Sequence, residues 1–118
     1  MKTLLWSALA ALLSTGLAPA LSEKDEHVVQ INGKSFMPER IEIKVGDRVT
    51  WKNYDLTDHT VTAKEKPAQP GATEKEFFDS GPLRPGDLFD HTFGKEGTYE
   101  YYCKQHAGMT GVVVVKPQ

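Results

Sequence analysis

An all-β sandwich is the fold class this chain predicts, and three observations carry it. Apolar and polar residues alternate with a period of two in Ile41-Glu42-Ile43-Lys44-Val45 and again in Val49-Thr50-Trp51-Lys52-Asn53, the mark of strands with one dry and one wet face. Gly, Pro, Asn and Asp recur between such runs, as in Asn32-Gly33, Gly46-Asp47, Gly81-Pro82 and Pro85-Gly86, and these are turn signals. No segment after residue 20 shows a helical period. Short strands joined by tight turns at this spacing indicate an antiparallel sandwich.

The chain opens with a targeting segment. Lys2 gives a positive start, Leu4 to Leu13 form an apolar stretch, and Ala18-Pro19-Ala20 offers a small-x-small cleavage site. Ser14, Thr15, Gly16 and Pro19 break the apolar run short of a membrane span, so a signal peptide over 1–20 is favoured over an anchor. With no cysteine near that site, a lipid-anchored protein is unsupported. Residues 21–118 then form one domain, large enough for one sandwich core. Its net charge is about −3 with neutral His, which argues against nucleic acid, whose binding needs a basic stripe. Export implies a periplasmic location and no stable membrane insertion after signal removal; a monomer is the expected state.

Residues 21–26 are charged and fray. His27 to Ile31 reads as the first strand, ended by Asn32-Gly33. The Ile41 to Val45 strand turns at Gly46-Asp47 into one that points Val49 and Trp51 inward. Tyr54 to Asp58 is a polar loop, Thr60 to Ala63 a β-branched strand, and Lys64 to Lys75 the least structured stretch. Phe77 to Ser80 reads as a brief strand, and Asp87 to Phe93 as a longer one in which His91 is structural or at the surface. Thr98 to Tyr102 leads to Cys103, and Gly111 to Val115 reads as a strand buried on both faces.

Cys103-Lys104-Gln105-His106-Ala107-Gly108-Met109 carries the chemistry. It holds the only cysteine, with His106 and Met109 following at intervals of three. An unpaired cysteine in an exported chain needs an explanation, and a metal-bound thiol is one. His59 heads a strand upstream. One Cys and two His with a weak axial Met is the donor set of a blue-copper electron-transfer site, softer than magnesium, calcium or manganese would select. Each residue alone has a plainer reading: a lone Cys as a small buried hydrophobe, Met109 as core filler, His59 as a loop polar residue. The spacing, the Gly97-Thr98-Tyr99 approach and the upstream histidine together favour the joint reading.

These features resemble the cupredoxins, and within them the amicyanin and plastocyanin branch. The resemblance runs from Phe36-Met37-Pro38 through Gly46-Asp47-Arg48-Val49-Thr50-Trp51 and His59, then Gly97 to Cys103, His106, Met109 and Gly111. The Cys-x-x-His-x-x-Met spacing matches amicyanin's short ligand loop. The resemblance implies a Greek-key sandwich of about eight strands, with His59, Cys103, His106 and Met109 holding one copper ion that cycles between Cu(I) and Cu(II). In that branch an Asn follows the first ligand histidine and ties the two ligand loops together; here the position is Thr60. It also implies that Met37, Pro38, Leu83 and Pro85 border His106 in an apolar docking patch, with Tyr102 beside Cys103 as a second electron exit.

Three function classes compete. The first is an electron shuttle between redox proteins, such as a cytochrome c or a copper or quinone enzyme, docking around His106. The second is a copper-binding protein for tolerance, buffering or delivery; the extra donors Met37, His27 and His91 are isolated rather than clustered. The third, an enzyme, is poorly supported, because a Cys–His pair in one tight loop lacks an orienting third group and four protein ligands leave little room for a substrate at the metal. Thioether ligation is atypical of zinc, and a dinuclear copper centre would need a second cysteine. Asp55, Asp58, Glu65, Glu74, Glu76 and Asp79 read as solvated surface acids, and His27 as solvated, with at most weak binding of extra copper.

Overall fold

The computed structural model describes residues 25–64 and 77–118. The leader over 1–20 and the acids Glu65, Glu74 and Glu76 lie outside those residues. Eight strands are formed: β1 (Glu26–Asn32), β2 (Ser35–Met37), β3 (Arg40–Lys44), β4 (Arg48–Asn53), β5 (Thr62–Ala63), β6 (Leu88–Thr92), β7 (Gly97–Tyr102) and β8 (Thr110–Lys116). They make two four-stranded sheets, in the orders β2-β1-β4-β6 and β3-β8-β7-β5. The all-β sandwich expected from the alternation is what the chain adopts.

The sheets are mixed rather than purely antiparallel. β1 runs parallel to β4, with Val29 opposite Trp51, and β3 runs parallel to β8, with Ile43 opposite Val115. The reason lies in the connections. The chain reverses at the β1–β2 turn and again at Gly46-Asp47, while the step from β2 to β3, through a cis Met37–Pro38 bond, changes sheets. Two reversals restore the direction of β1 when the chain returns to its sheet as β4. Alternation reports which face a side chain takes and is silent on strand direction.

The inward positions meet between the sheets. Val29, Ile31, Val49, Trp51, Val61, Phe93 and Val113 are fully buried. Trp51 anchors the layer, edge-on to Tyr101 at 5.4 Å between ring centroids, with Phe78 and Phe89 tilted against it. His91 is half-buried, its ring 4.9 Å from Phe78 and 4.6 Å from Phe93, a structural role. In β8 Val113 and Val115 are buried while Val112 and Val114 are only partly so, which corrects the expectation of burial on both faces. A run of valines satisfies either reading; β8 is paired on both sides, by β3 and β7, but the outer face of its sheet is not covered by a further layer among the described residues and stays half wet. Phe77 to Ser80 forms no strand of its own; its backbone pairs with the sheet through a single bridge, Asp79 with Thr62.

The end of the sandwich where β1 and β4 begin is closed by Asp47. Its Oδ1 accepts the Asp25 N–H at 3.1 Å, and its Oδ2 accepts the Lys44 N–H at 3.0 Å and faces His27 Nε2 at 3.1 Å. His27 is therefore tied down rather than solvated. Asp25, His27 and Asp47 bring three donor groups together, but the Asp47 oxygens are occupied by these partners, and the group is a turn clamp. Burial pushes the Asp47 carboxyl up, and the hydrogen bonds from Lys44, His27 and Asp25 outweigh that and hold it below its usual value of 3.8. A carboxyl depressed on folding adds stability that is complete above its unfolded pKa and is lost as pH falls through the folded one. Thermal melts should therefore be flat above about pH 5 and fall steeply below about pH 4. Asp47→Asn should flatten that acid limb and cost about 2 kcal/mol near neutrality, the loss of charge-assisted bonds.

Candidate metal centre

The opposite end of the sandwich gathers the sequence-predicted residues. Cys103 follows β7 in phase with Tyr99 and Tyr101, so its sulfur turns inward, and the residue is 3 % exposed. β4 ends in Asn53, whose side chain is inward, fully buried and fully used. Asn53 Nδ2 donates to the carbonyls of Thr57 and Leu83 at 2.9 Å each, and Oδ1 accepts the Asp55 N–H at 2.9 Å. This amide shapes the 54–58 loop and delivers His59 to the same end as Cys103. His59 is then pinned by a two-way bridge with Leu83, His59 N–H to Leu83 O at 3.1 Å and Leu83 N–H to His59 O at 2.7 Å.

The geometry brings three donors together. His59 Nδ1 lies 3.8 Å from Cys103 Sγ, and the rings of His59 and His106 are 4.6 Å apart between centroids. One donor atom from each of His59, Cys103 and His106 falls within 4.8 Å of the other two. His59 is fully buried, whereas His106 is half-buried and reaches the surface. Met109 is 4 % exposed and closes the same loop, its N–H donating to His106 O at 3.2 Å and its carbonyl accepting the Cys103 N–H at 3.0 Å. Gly108, at φ +84°, supplies the left-handed residue that lets so short a loop close.

Two nitrogens, a thiol sulfur and a neighbouring thioether, held in a buried pocket by backbone hydrogen bonds, fit a soft or borderline metal such as copper. The orientation of His59 supports this. Its Nε2 faces the Asp55 carboxylate at 2.9 Å, which orients the ring and turns Nδ1 toward the sulfur.

Asp55 is no solvated surface acid. Its side chain is 15 % exposed, and it also accepts the N–H groups of Gly33 and Lys34 at 2.7 and 2.8 Å. Both residues have positive φ, +65° and +60°, so the β1–β2 turn aims two successive N–H groups at one carboxylate. Burial raises the Asp55 carboxyl, and the bonds from Lys34, Gly33 and His59 bring it below its usual value. Asp55→Ala should orphan these three donors and destabilise the metal-free protein by about 3 kcal/mol, read from denaturant melts. An Asp55→Asn variant should lose less, since an amide oxygen still accepts the turn.

Asp79, too, departs from the solvated acid that the sequence predicts. Its side chain is 28 % exposed and bonded to Gly81, Thr62 and Lys104. Asp58 remains exposed as expected. Leu83 is 5 % exposed and belongs to the core, whereas Leu56, in the loop before His59, is 90 % exposed. Met37 is half exposed and pairs with Gln30, back from the β1–β2 turn. The sequence held signals for some of this: an Asn at an inward phase position in β4, an Asp four residues before a histidine, and Asn-Gly opening a tight turn.

Comparison with known proteins agrees with the geometry. The profile of the copper binding proteins, plastocyanin/azurin family, matches residues 24–116. Amicyanin-alpha of Methylorubrum extorquens is 36% identical over 117 residues, covering 94% of this chain and 90% of that protein. Plastocyanin of Scenedesmus fuscus is 33% identical over 84 residues, 69% of this chain and 86% of its own length. Among solved structures, a purple cupredoxin from Nitrosopumilus maritimus superposes with a TM-score of 0.64 at 32% identity, covering 76% of this chain and 99% of that one. An amicyanin variant in its Cu(I) form superposes with a TM-score of 0.66 at 28% identity, over 77% of this chain and 82% of that one.

Proposed function

Because the chain belongs to the plastocyanin/azurin family of copper-binding proteins, with copper as cofactor and electron transfer as the family's general chemistry, we propose that it is an exported, mononuclear type 1 copper protein that shuttles single electrons. The ligands in this reading are His59, Cys103, His106 and Met109. The observation that carries it is the buried Cys103 sulfur 3.8 Å from His59 Nδ1, with His106 beside them. Copper bound there supplies a reversible one-electron change between Cu(I) and Cu(II).

The residues of the chain supply rigidity and access. His59 is locked by Asp55 and by the Leu83 bridge, and the Thr60 N–H donates to Cys103 Sγ at 3.4 Å. Donors that cannot swing keep the reorganisation cost of a change in charge low. The half-buried His106, its ring against that of His59, carries electrons to the surface beside the exposed Ala107; Leu56 in the loop before His59, and Pro82 and Pro85 either side of the His59-paired Leu83, are exposed as well. A weakly hydrated patch of this kind suits brief docking of small contact area, by a cytochrome c or by a copper or quinone enzyme. The 1–20 leader supports a periplasmic location. Among the described residues no helix is long and apolar enough to cross a membrane.

The test is kinetic. Electron self-exchange of the copper-loaded protein, followed by NMR line broadening, should be rapid, and Leu56→Lys should slow it by about tenfold through charge repulsion across the docking patch. Slow exchange with direct copper delivery to an acceptor protein would contradict the shuttle and establish copper handling instead.

A further inference from the structure

Thr60 stands where the family branch carries the asparagine that ties the ligand loops. The hydroxyl of Thr60 accepts the Lys104 N–H at 2.8 Å. Thr62 Oγ1 lies 3.0 Å from Thr60 Oγ1 and 3.1 Å from Asp79 Oδ1. Thr60 and Thr62 are 3 % and 2 % exposed, so neither hydroxyl has bulk water to fall back on. Asp79 Oδ2 in turn receives Lys104 Nζ at 2.7 Å, and Oδ1 receives the Gly81 N–H at 3.0 Å.

Proton counting fixes the direction of this chain. An ionised carboxylate only accepts, and each hydroxyl has one proton. Thr62 therefore donates to Asp79, Thr60 donates to Thr62, and Lys104 N–H donates to Thr60. The path closes on itself, because the same Lys104 that starts it through its backbone ends it through its ammonium. The amide and hydroxyl donors all point toward Asp79, an arrangement in which each bond polarises the next, and the Lys104 ammonium donates to the same carboxylate from the other side. The closed path joins the segment after His59 to the residue after Cys103.

We propose that Thr60, Thr62 and Asp79 are positioning residues for the copper centre, a closed hydrogen-bond ring through Lys104 that does the work of the family's single asparagine and holds the Thr60 N–H on the Cys103 sulfur. The ring rests on the type 1 copper reading only for its effect on the metal; the tie between the loops stands without one. A hydrogen bond to a thiolate draws density from sulfur and favours the reduced state of the metal. Loosening the ring therefore lowers the reduction potential. A single carboxamide reaching across from residue 60 would bypass Thr62 and Asp79, so their contribution depends on the hydroxyl at 60.

The experiment uses Thr62→Val, which keeps the shape and removes the hydroxyl, and Asp79→Asn, which removes the charge. Thr60→Asn and the Thr60→Asn/Thr62→Val pair complete the cycle. In metal-free protein, the Lys104 amide should exchange with solvent about fivefold to tenfold faster in Thr62→Val, the loss of one link. In copper-loaded protein the midpoint potential should fall by about 30 mV, roughly a threefold change in the oxidised-to-reduced affinity ratio at about 59 mV per decade. Thr62→Ser should restore both readouts. In the Thr60→Asn background, Thr62→Val should have no further effect, a non-additivity that general destabilisation would not give. Wild-type Lys104 exchange in both Thr62→Val and Asp79→Asn, or full additivity in the pair, would overturn the ring. The exchange arm needs no metal, so a wild type without a thiolate–copper band would fail the copper reading while the exchange data still decide the ring.

Discussion

Replacing Cys103 by alanine should abolish the intense visible absorption of the copper-loaded protein and leave only the pale spectrum of nitrogen and oxygen ligation. The colour in this account comes from charge transfer out of one thiolate, and the chain has one cysteine, buried and unpaired. No other side chain can substitute as a donor of that kind. The loss should be complete. Copper retention should fall with it, because a bound thiolate is the strongest soft ligand in the set. The metal-free variant should melt close to wild type, since cysteine to alanine removes one small sulfur from a loop end and costs on the order of 1 kcal/mol. A Cys103→Ala protein that keeps its absorption would place the chromophore elsewhere.

Gly111→Ala should be the most damaging single substitution per atom added. Gly111 sits directly opposite Tyr101 across β7 and β8, and the tyrosine ring folds over it. A Cβ there would fall inside van der Waals contact with Tyr101 Cζ and its hydroxyl, and 2.9 Å from Cε1. The ring cannot yield easily. It is 1 % exposed, edge-on to Trp51 at 5.4 Å and to Phe36 at 4.7 Å between centroids. Burial also pushes its hydroxyl pKa up to about 12, so ionising it to move it offers no relief near neutral pH. Overpacking of this kind costs about 3 kcal/mol, roughly 15 °C in melting temperature for a domain of this size. β8 starts directly after Met109, so strand displacement should also weaken copper retention. A melt within about 2 °C of wild type would show that the Tyr101 ring has room to move.

Much of this molecule is legible in its sequence. Period-two alternation places Val49, Trp51, Ile43 and Cys103 inward, and they are inward. The Cys103-His106-Met109 spacing, with His59 upstream, names residues of which three bring donor atoms together. Less legible is whatever depends on partners distant in sequence. The parallel pairings of β1 with β4 and β3 with β8 arise from how often the chain reverses, which side-chain pattern does not encode. Asp55 and Asp79 look like any surface acid until the turn at Gly33-Lys34 and the loop after Cys103 are folded against them. Asn53 ends a strand in sequence and holds a loop in space. Thr60 shows the reverse case: at the sequence level it is a departure from the family's asparagine, and in the fold its hydroxyl still makes the inter-loop bond.

If Cys103 and two histidines form one stiff copper site, X-ray absorption at the copper edge will report all three donors together. Spectra of the wild type, loaded with one copper and measured before and after reduction, should show one short copper–sulfur distance and two nitrogen neighbours. Those distances should change little on reduction. A first shell without sulfur, or a coordination sphere that rebuilds when the electron arrives, would contradict it.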